Sequence, residues 1–122
     1  MRKQFIFNKS GKELDTLGFS GTIKQMFVNQ HRKIDPSLKR TVEALADTKI
    51  DMEISGMKIL DDYYGSPVDE FNILTEEYQV GDMTQIEVNI DGPAGPDKIL
   101  EDPVIITFIY ELPIKQKRTD LR

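Results

Sequence analysis

The sequence predicts a mainly β fold: a single small antiparallel β-barrel or sandwich-like sheet of roughly five to seven strands with one short helix, an α+β arrangement being the alternative. Three observations predict it. Residues 49–55 and 85–90 alternate apolar and polar side chains, the period that puts one strand face on a core and the other in water. Residues 104–112 are apolar on both faces, as in a central, doubly covered strand. Only Asp35-Pro36 begins a stretch with helix-start chemistry and helical apolar spacing.

Taken in order, Gln4-Phe5-Ile6-Phe7 reads as a first strand and Asn8-Lys9-Ser10-Gly11 as a turn. Gly18 and Gly21 bracket Phe19-Ser20, which indicates a bend or bulge in extended chain. Thr22–Asn29 reads as a strand with Ile23 and Phe27 on one face and Met26 and Val28 on the other. A polar basic loop, Asn29–Lys33, precedes the helix, where Asp35 caps, Pro36 takes the first position, and Leu38, Val42 and Leu45 form one face up to Asp47. A strand over Arg40–Ala46 is the competing reading.

Lys49–Ser55 is a half-exposed strand with Ile50, Met52 and Ile54 inward and an acidic outer face, followed by a bulge at Gly56 and resumed alternation at Met57 and Ile59. Asp61–Pro67 reads as a loop carrying Tyr63 and Tyr64. Residues 68–74 fit strand or helical turn, and Thr75-Glu76-Glu77-Tyr78 fits one capped turn. Val80-Gly81-Asp82 leads into the strand of Ile86, Val88 and Ile90. Asp91–Asp102 reads as a loop too long for a hairpin, hence a place to look for function, and Pro113 stops the last strand. The expected organisation is one domain over residues 1–113 and a basic, disordered tail over 114–122.

Composition narrows the function classes. A chain of 122 residues holds a core large enough to fold without covalent staples. Cysteine is absent, so disulfides and thiolate metal sites are excluded, which suits a cytoplasmic location. The apolar run in Met1–Phe7 is far too short for a signal peptide or a membrane span, so no membrane partner is expected. The net charge of −5 hides an asymmetry: residues 1–40 carry nine Lys/Arg against Glu13, Asp15 and Asp35, whereas residues 41–112 carry seventeen acids against Lys49, Lys58 and Lys98. Zones of opposite sign either attract one another within the fold or face a charged partner.

Catalytic chemistry is poorly supplied. His31 is the one histidine and lies among cations that disfavour its charged form. Gly18-Phe19-Ser20-Gly21 lacks the spacing of a nucleophile elbow. The acid pairs Asp61/Asp62, Asp69/Glu70, Glu76/Glu77 and Glu101/Asp102 match no calcium-loop or His-x-x-Glu pattern, so they read as solvated faces. Pro93 and Pro96 lack the amides that a phosphate loop needs. No catalytic residue, metal ligand or cofactor is assigned, and the chain reads as non-enzymatic.

Binding remains. The leading expectation is a binding or assembly module acting through a protein partner, with Asp61, Asp62, Tyr63, Tyr64, Asp91, Asp97, Glu101 and Asp102 as contact residues, since tyrosines anchor interfaces. The alternative is a nucleic-acid-binding domain using Lys24, Arg32, Lys33, Lys39 and Arg40, with phosphates on the basic loop and helix start. A second alternative is an acidic inhibitor filling the basic groove of a nucleic-acid-binding protein. Self-association is compatible with all three. In style, a small acidic chain with Phe5-Ile6-Phe7 near its start and a Leu17-Gly18-Phe19 segment resembles accessory proteins of bacterial mobile elements and phages, a resemblance that carries over no residue role.

Overall fold

The computed structural model describes residues 1–30, 48–64, 72–74, 76–93 and 95–113. They form eight strands: β1 (Arg2–Lys9), β2 (Gly11–Thr16), β3 (Gly21–Gln30), β4 (Lys49–Ile54), β5 (Met57–Tyr64), β6 (Tyr78–Val80), β7 (Gln85–Asp91) and β8 (Ile99–Glu111). Strands β1-β8-β3-β6 make one antiparallel four-stranded sheet, A, and β2-β7-β4-β5 a second, B. The mainly β, sandwich-like prediction holds, with no helix among the described residues. The helix predicted after Pro36, the loop with His31 and the 114–122 tail lie outside the described residues.

One apolar layer joins the sheets. Sheet A contributes Phe5 and Phe7 from β1, Ile23, Met26 and Val28 from β3, and Val104, Ile106, Phe108 and Tyr110 from β8. Sheet B contributes Ile50, Met52 and Ile54 from β4, Leu60 from β5, and Ile86, Val88 and Ile90 from β7. The alternation read in β4 and β7 is therefore the inward row of each strand.

Several local expectations change. The two strands taken as a closing pair belong to different sheets: β7 lies between β2 and β4, β8 between β1 and β3. Their connection spans only residues 92–98, because Ile99 already pairs with Lys9 and begins β8. β8 is central, but only its inner face is closed; outside, Thr107 is buried while Ile105 and Ile109 are partly exposed.

In β3 a bulge between Ile23 and Gln25 switches the parity, so Ile23 joins Met26 and Val28 inside and Phe27 turns outward. Ser55 and Gly56, at φ 53° and 79°, form the two-residue turn of the β4–β5 hairpin rather than a bulge. Residues 61–64 are strand, not loop, and Tyr78 opens β6 instead of closing a helical turn. β2 escaped the reading because Lys12, Glu13, Leu14 and Asp15 are all exposed and show no alternation.

Glycines serve the crossings between sheets. After β2 the chain passes through Leu17 and Phe19, both buried, to reach β3 in the other sheet. Gly21 begins β3 at φ 144°, and a Cβ there would stand 1.9 Å from the Glu111 carbonyl oxygen. Both the conformation and the space exclude a side chain. Gly21→Ala is expected to cost about 2–4 kcal/mol in chemical denaturation; a loss under about 0.5 kcal/mol would show that β3 and β8 have room to part there.

Candidate interaction surfaces

Sheet B presents an open, charged outer face. β4 contributes Lys49, Asp51 and Glu53, the residues alternating with its buried row, and β7 contributes Gln85, Glu87, Asn89 and Asp91. The register sets these side chains in cross-strand rows. Lys49 stands between Asp91 and Tyr64, Asp51 stands opposite Asn89, and Glu53 stands directly opposite Glu87 on one side and Lys58 on the other. Antiparallel pairing thus builds from three separate segments a surface that no single stretch of sequence displays.

The charges on this face are only partly matched. Lys58 lies 4.0 Å from Asp51 and 3.8 Å from Asp61. Lys49 lies 3.4 Å from Asp62, whose charge first, and then its hydrogen bond, holds the ammonium above its ordinary pKa against a smaller effect of burial. Lys12 reaches Glu87 at 3.5 Å. Carboxylate oxygens of Asp51, Asp61 and Asp62 come within 4.8 Å of one another, and Asp51 also accepts the Asp62 amide at 2.8 Å. Two lysines already face that triad, so its geometry is that of a solvated ion-pair network.

The expected protein-contact residues fall into three groups. Asp61, Asp62, Tyr64 and Asp91 do come together on the outer face of sheet B. Tyr63 does not: it stands opposite Ile50 and packs against the core, because the strand alternation separates it from Tyr64. Asp97 lies beside Gly11 in the 92–98 connection, and Glu101 and Asp102 belong to β8 in the other sheet, their side chains outside the described residues. Sequence reading did not single out Glu53, Glu87 and Lys58 as site residues, since only register shows them to be neighbours.

The long connection singled out for function proves to be a clamp. Ser10, buried at the β1–β2 corner, donates its amide to the Lys98 carbonyl at 2.9 Å, and its hydroxyl accepts the Gly92 amide at 2.9 Å. A Cβ on Gly92 would meet Leu100 of β8 at 2.6 Å and the Ser10 hydroxyl at 3.0 Å, so the chain at Gly92 is pressed against both.

Of the residues expected to bind nucleic acid, Arg32, Lys33, Lys39 and Arg40 lie outside the described residues, and Lys24 is engaged. Its ammonium reaches both carboxylate oxygens of Glu77 at 3.1 Å and lies 3.6 Å from Glu111, bracing β3 against β8 and the start of β6. The Glu77 hydrogen bond chiefly, with the charges of both acids, holds Lys24 above its ordinary value of 10.5, although burial works the other way. No described helix is long and apolar enough to cross a membrane. No family model matches the chain, and no curated protein or solved structure does either.

A raised lysine pKa stabilises the fold below the unfolded value and loses that contribution as pH climbs through the folded one. The stability difference between the protein and its Lys24→Met variant is therefore expected to be constant at neutral pH and to shrink above 10.5. Denaturation midpoints across the alkaline range check it; a difference that grows there would reverse the assignment.

Proposed function

We propose that the chain is a non-enzymatic protein-binding module whose acidic sheet B face docks a basic surface on a partner protein. The observation that carries this reading is the direct cross-strand opposition of Glu53 and Glu87 at the middle of that face. Like charges in that relation destabilise a sheet. Lys58 and Lys12 each flank one of the two acids, and the neighbouring carboxylates of Asp51 and Asp61 draw on Lys58 as well. A cationic surface laid across β4 and β7 relieves both acids at once, giving steering and register to the complex. Tyr64, exposed at the same face, supplies an aromatic contact. The basic groove of a nucleic-acid-binding protein is one surface of this chemistry.

A docking face that carries such repulsion has a signature: relieving it stabilises the free protein and weakens the complex. Glu53→Gln is expected to raise stability by about 0.2–1 kcal/mol. The same variant, and Asp61→Lys with Asp62→Lys, are expected to reduce recovery of the partner from the native host at least severalfold in quantitative affinity purification. An unchanged complex in the double reversal would remove this face from the interface, and a destabilised Glu53→Gln would remove the repulsion itself.

A further inference from the structure

Among the described residues each sheet has two edges, and three of the four are unsuited to a further strand. β6 pairs over only three residues, and beside it the Met26 amide and carbonyl are taken by the Asn72 side chain and the Ile73 amide. β5 carries two register shifts and a positive φ at Asp62, irregularities that spoil an edge for pairing. β2 turns the charged Glu13 and Asp15 toward the inner side, and Asp15 accepts the Thr16 amide at 2.8 Å. The fourth edge, β1, is eight residues long, free of proline, and in unbroken register with β8 from Arg2 to Phe7.

The hydrogen-bond phase of β1 identifies its free groups. The Tyr110 amide donates to the Met1 carbonyl at 3.0 Å, so Met1 and Tyr110 are a bonded pair. Antiparallel alternation then turns the amides and carbonyls of Arg2, Gln4 and Ile6 away from β8. Across from this edge, a cleft of about 340 Å³ separates β1 from β2, with Phe5, Phe7, Ile86 and Val88 on its apolar side and Glu13 and Asp15 on its lip. Both acids are exposed although they stand opposite the inward residues Val88 and Ile86, and Glu13 makes no ion pair among the described residues. Among the described residues, no strand of sheet A covers this inner side of β2.

The geometry points to β1 as a strand-addition site for an extended segment of a partner protein that carries cationic side chains at alternate positions. Added as a fifth strand of sheet A, the segment bonds through its backbone to Arg2, Gln4 and Ile6 and turns every second side chain toward Glu13 and Asp15, whose own spacing is two. A Lys or Arg stem lies along the apolar floor while its head reaches the carboxylates. Lys3, its ammonium 5.4 Å from the Phe5 ring centre, stands at one end of the cleft and repels a guest cation there, which fixes the register toward Phe5 and Phe7. This edge is separate from the outer face of sheet B, and either surface can fail alone.

The test is selection of short linear peptides from a display library on the full chain, followed by affinity and amide-exchange measurements on an enriched peptide. Enriched sequences are expected to place Lys or Arg at alternate positions and to slow exchange at Arg2, Gln4 and Ile6 but not at Lys12 or Leu14. Gln4→Pro removes one solvent-facing amide without breaking a bond to β8 and is expected to weaken the peptide about tenfold or more, as is Glu13→Lys with Asp15→Lys. Gln4→Ala, which loses only the 3.2 Å side-chain bond to Thr107, and the Asp61→Lys/Asp62→Lys double variant should bind as before. Failure to enrich such sequences, protection on β2 instead of β1, or undiminished binding by folded Gln4→Pro overturns the proposal. If Gln4→Pro does not fold, the protection pattern decides alone. Protection of the same three amides by concentration-dependent dimerisation without peptide would assign the edge to a second copy and likewise overturn it.

Discussion

Burial of one row of side chains on β8 sets the terms for everything else. Val104, Ile106 and Phe108 are fully buried and Tyr110 nearly so, while the strand is paired on both sides. Phe108 meets Phe5 edge to face at 5.9 Å and Phe19 at 6.1 Å, and Phe19 stacks on Tyr110 at 3.9 Å. Those contacts tie β1, β8 and the β2–β3 crossing into one aromatic cluster, each pair adding about 1 kcal/mol beyond area burial. A one-residue slip of β1 or β3 against β8 would turn its apolar row to water, so register is held by the core itself. The Lys24 bulge fits the same demand: it is the one adjustment that brings Ile23 into the row with Met26 and Val28.

Among the described strands, six of the seven successive steps pass from one sheet to the other, and only β4–β5 is a hairpin within a sheet. Most pairings therefore join segments far apart in sequence, an arrangement whose loop-closure entropy precedes its reward and which slows folding. The crossings also decide which edges stay open. β1 and β2 are consecutive, yet because the chain changes sheets at Ser10 they end as the outer strands of different sheets on the same side of the sandwich. The Ser10 clamp to Gly92 and Lys98 holds that corner closed, and the cleft lies between the two strands beyond it.

This topology explains what could be read from the sequence. Alternation is a local signal, so β4 and β7 were legible from Ile50, Met52, Ile54, Ile86, Val88 and Ile90 alone, and the core of β8 from its apolar run over Val104–Tyr110. Sheet membership is not local: Asp91–Asp102 looks like the linker of a long hairpin until the partners of each strand are known. β2 was illegible because Lys12–Asp15 have no buried face to alternate with, and that same exposure makes its inner side a binding feature. At the candidate site, the sequence identified acids by adjacency, Asp61 beside Asp62, whereas the structure groups them by register, Glu53 beside Glu87. Tyr63 and Tyr64 show the limit most plainly: one residue apart, they face the core and the solvent.

Charge accounting links the two surfaces. Part of the basic N-terminal third is consumed internally, Lys12 by Glu87 and Lys24 by Glu77 and Glu111. That confirms attraction within the fold for those lysines and withdraws Lys24 from any exposed cationic patch. The remaining imbalance is geometric rather than numerical. Glu53 and Glu87 share a face whose lysines are already divided among four carboxylates, and Glu13 faces a cleft whose one lysine leans on an aromatic ring instead. In water these acids cost the fold no more than about 1 kcal/mol, because solvent screens part of their repulsion. Beneath a partner they would be desolvated and would need cations delivered to them, one set across a flat sheet and the other along a strand edge. The two surfaces thus select the same charge in different shapes: a broad basic surface for β4 and β7, and an extended segment with alternate basic side chains for β1.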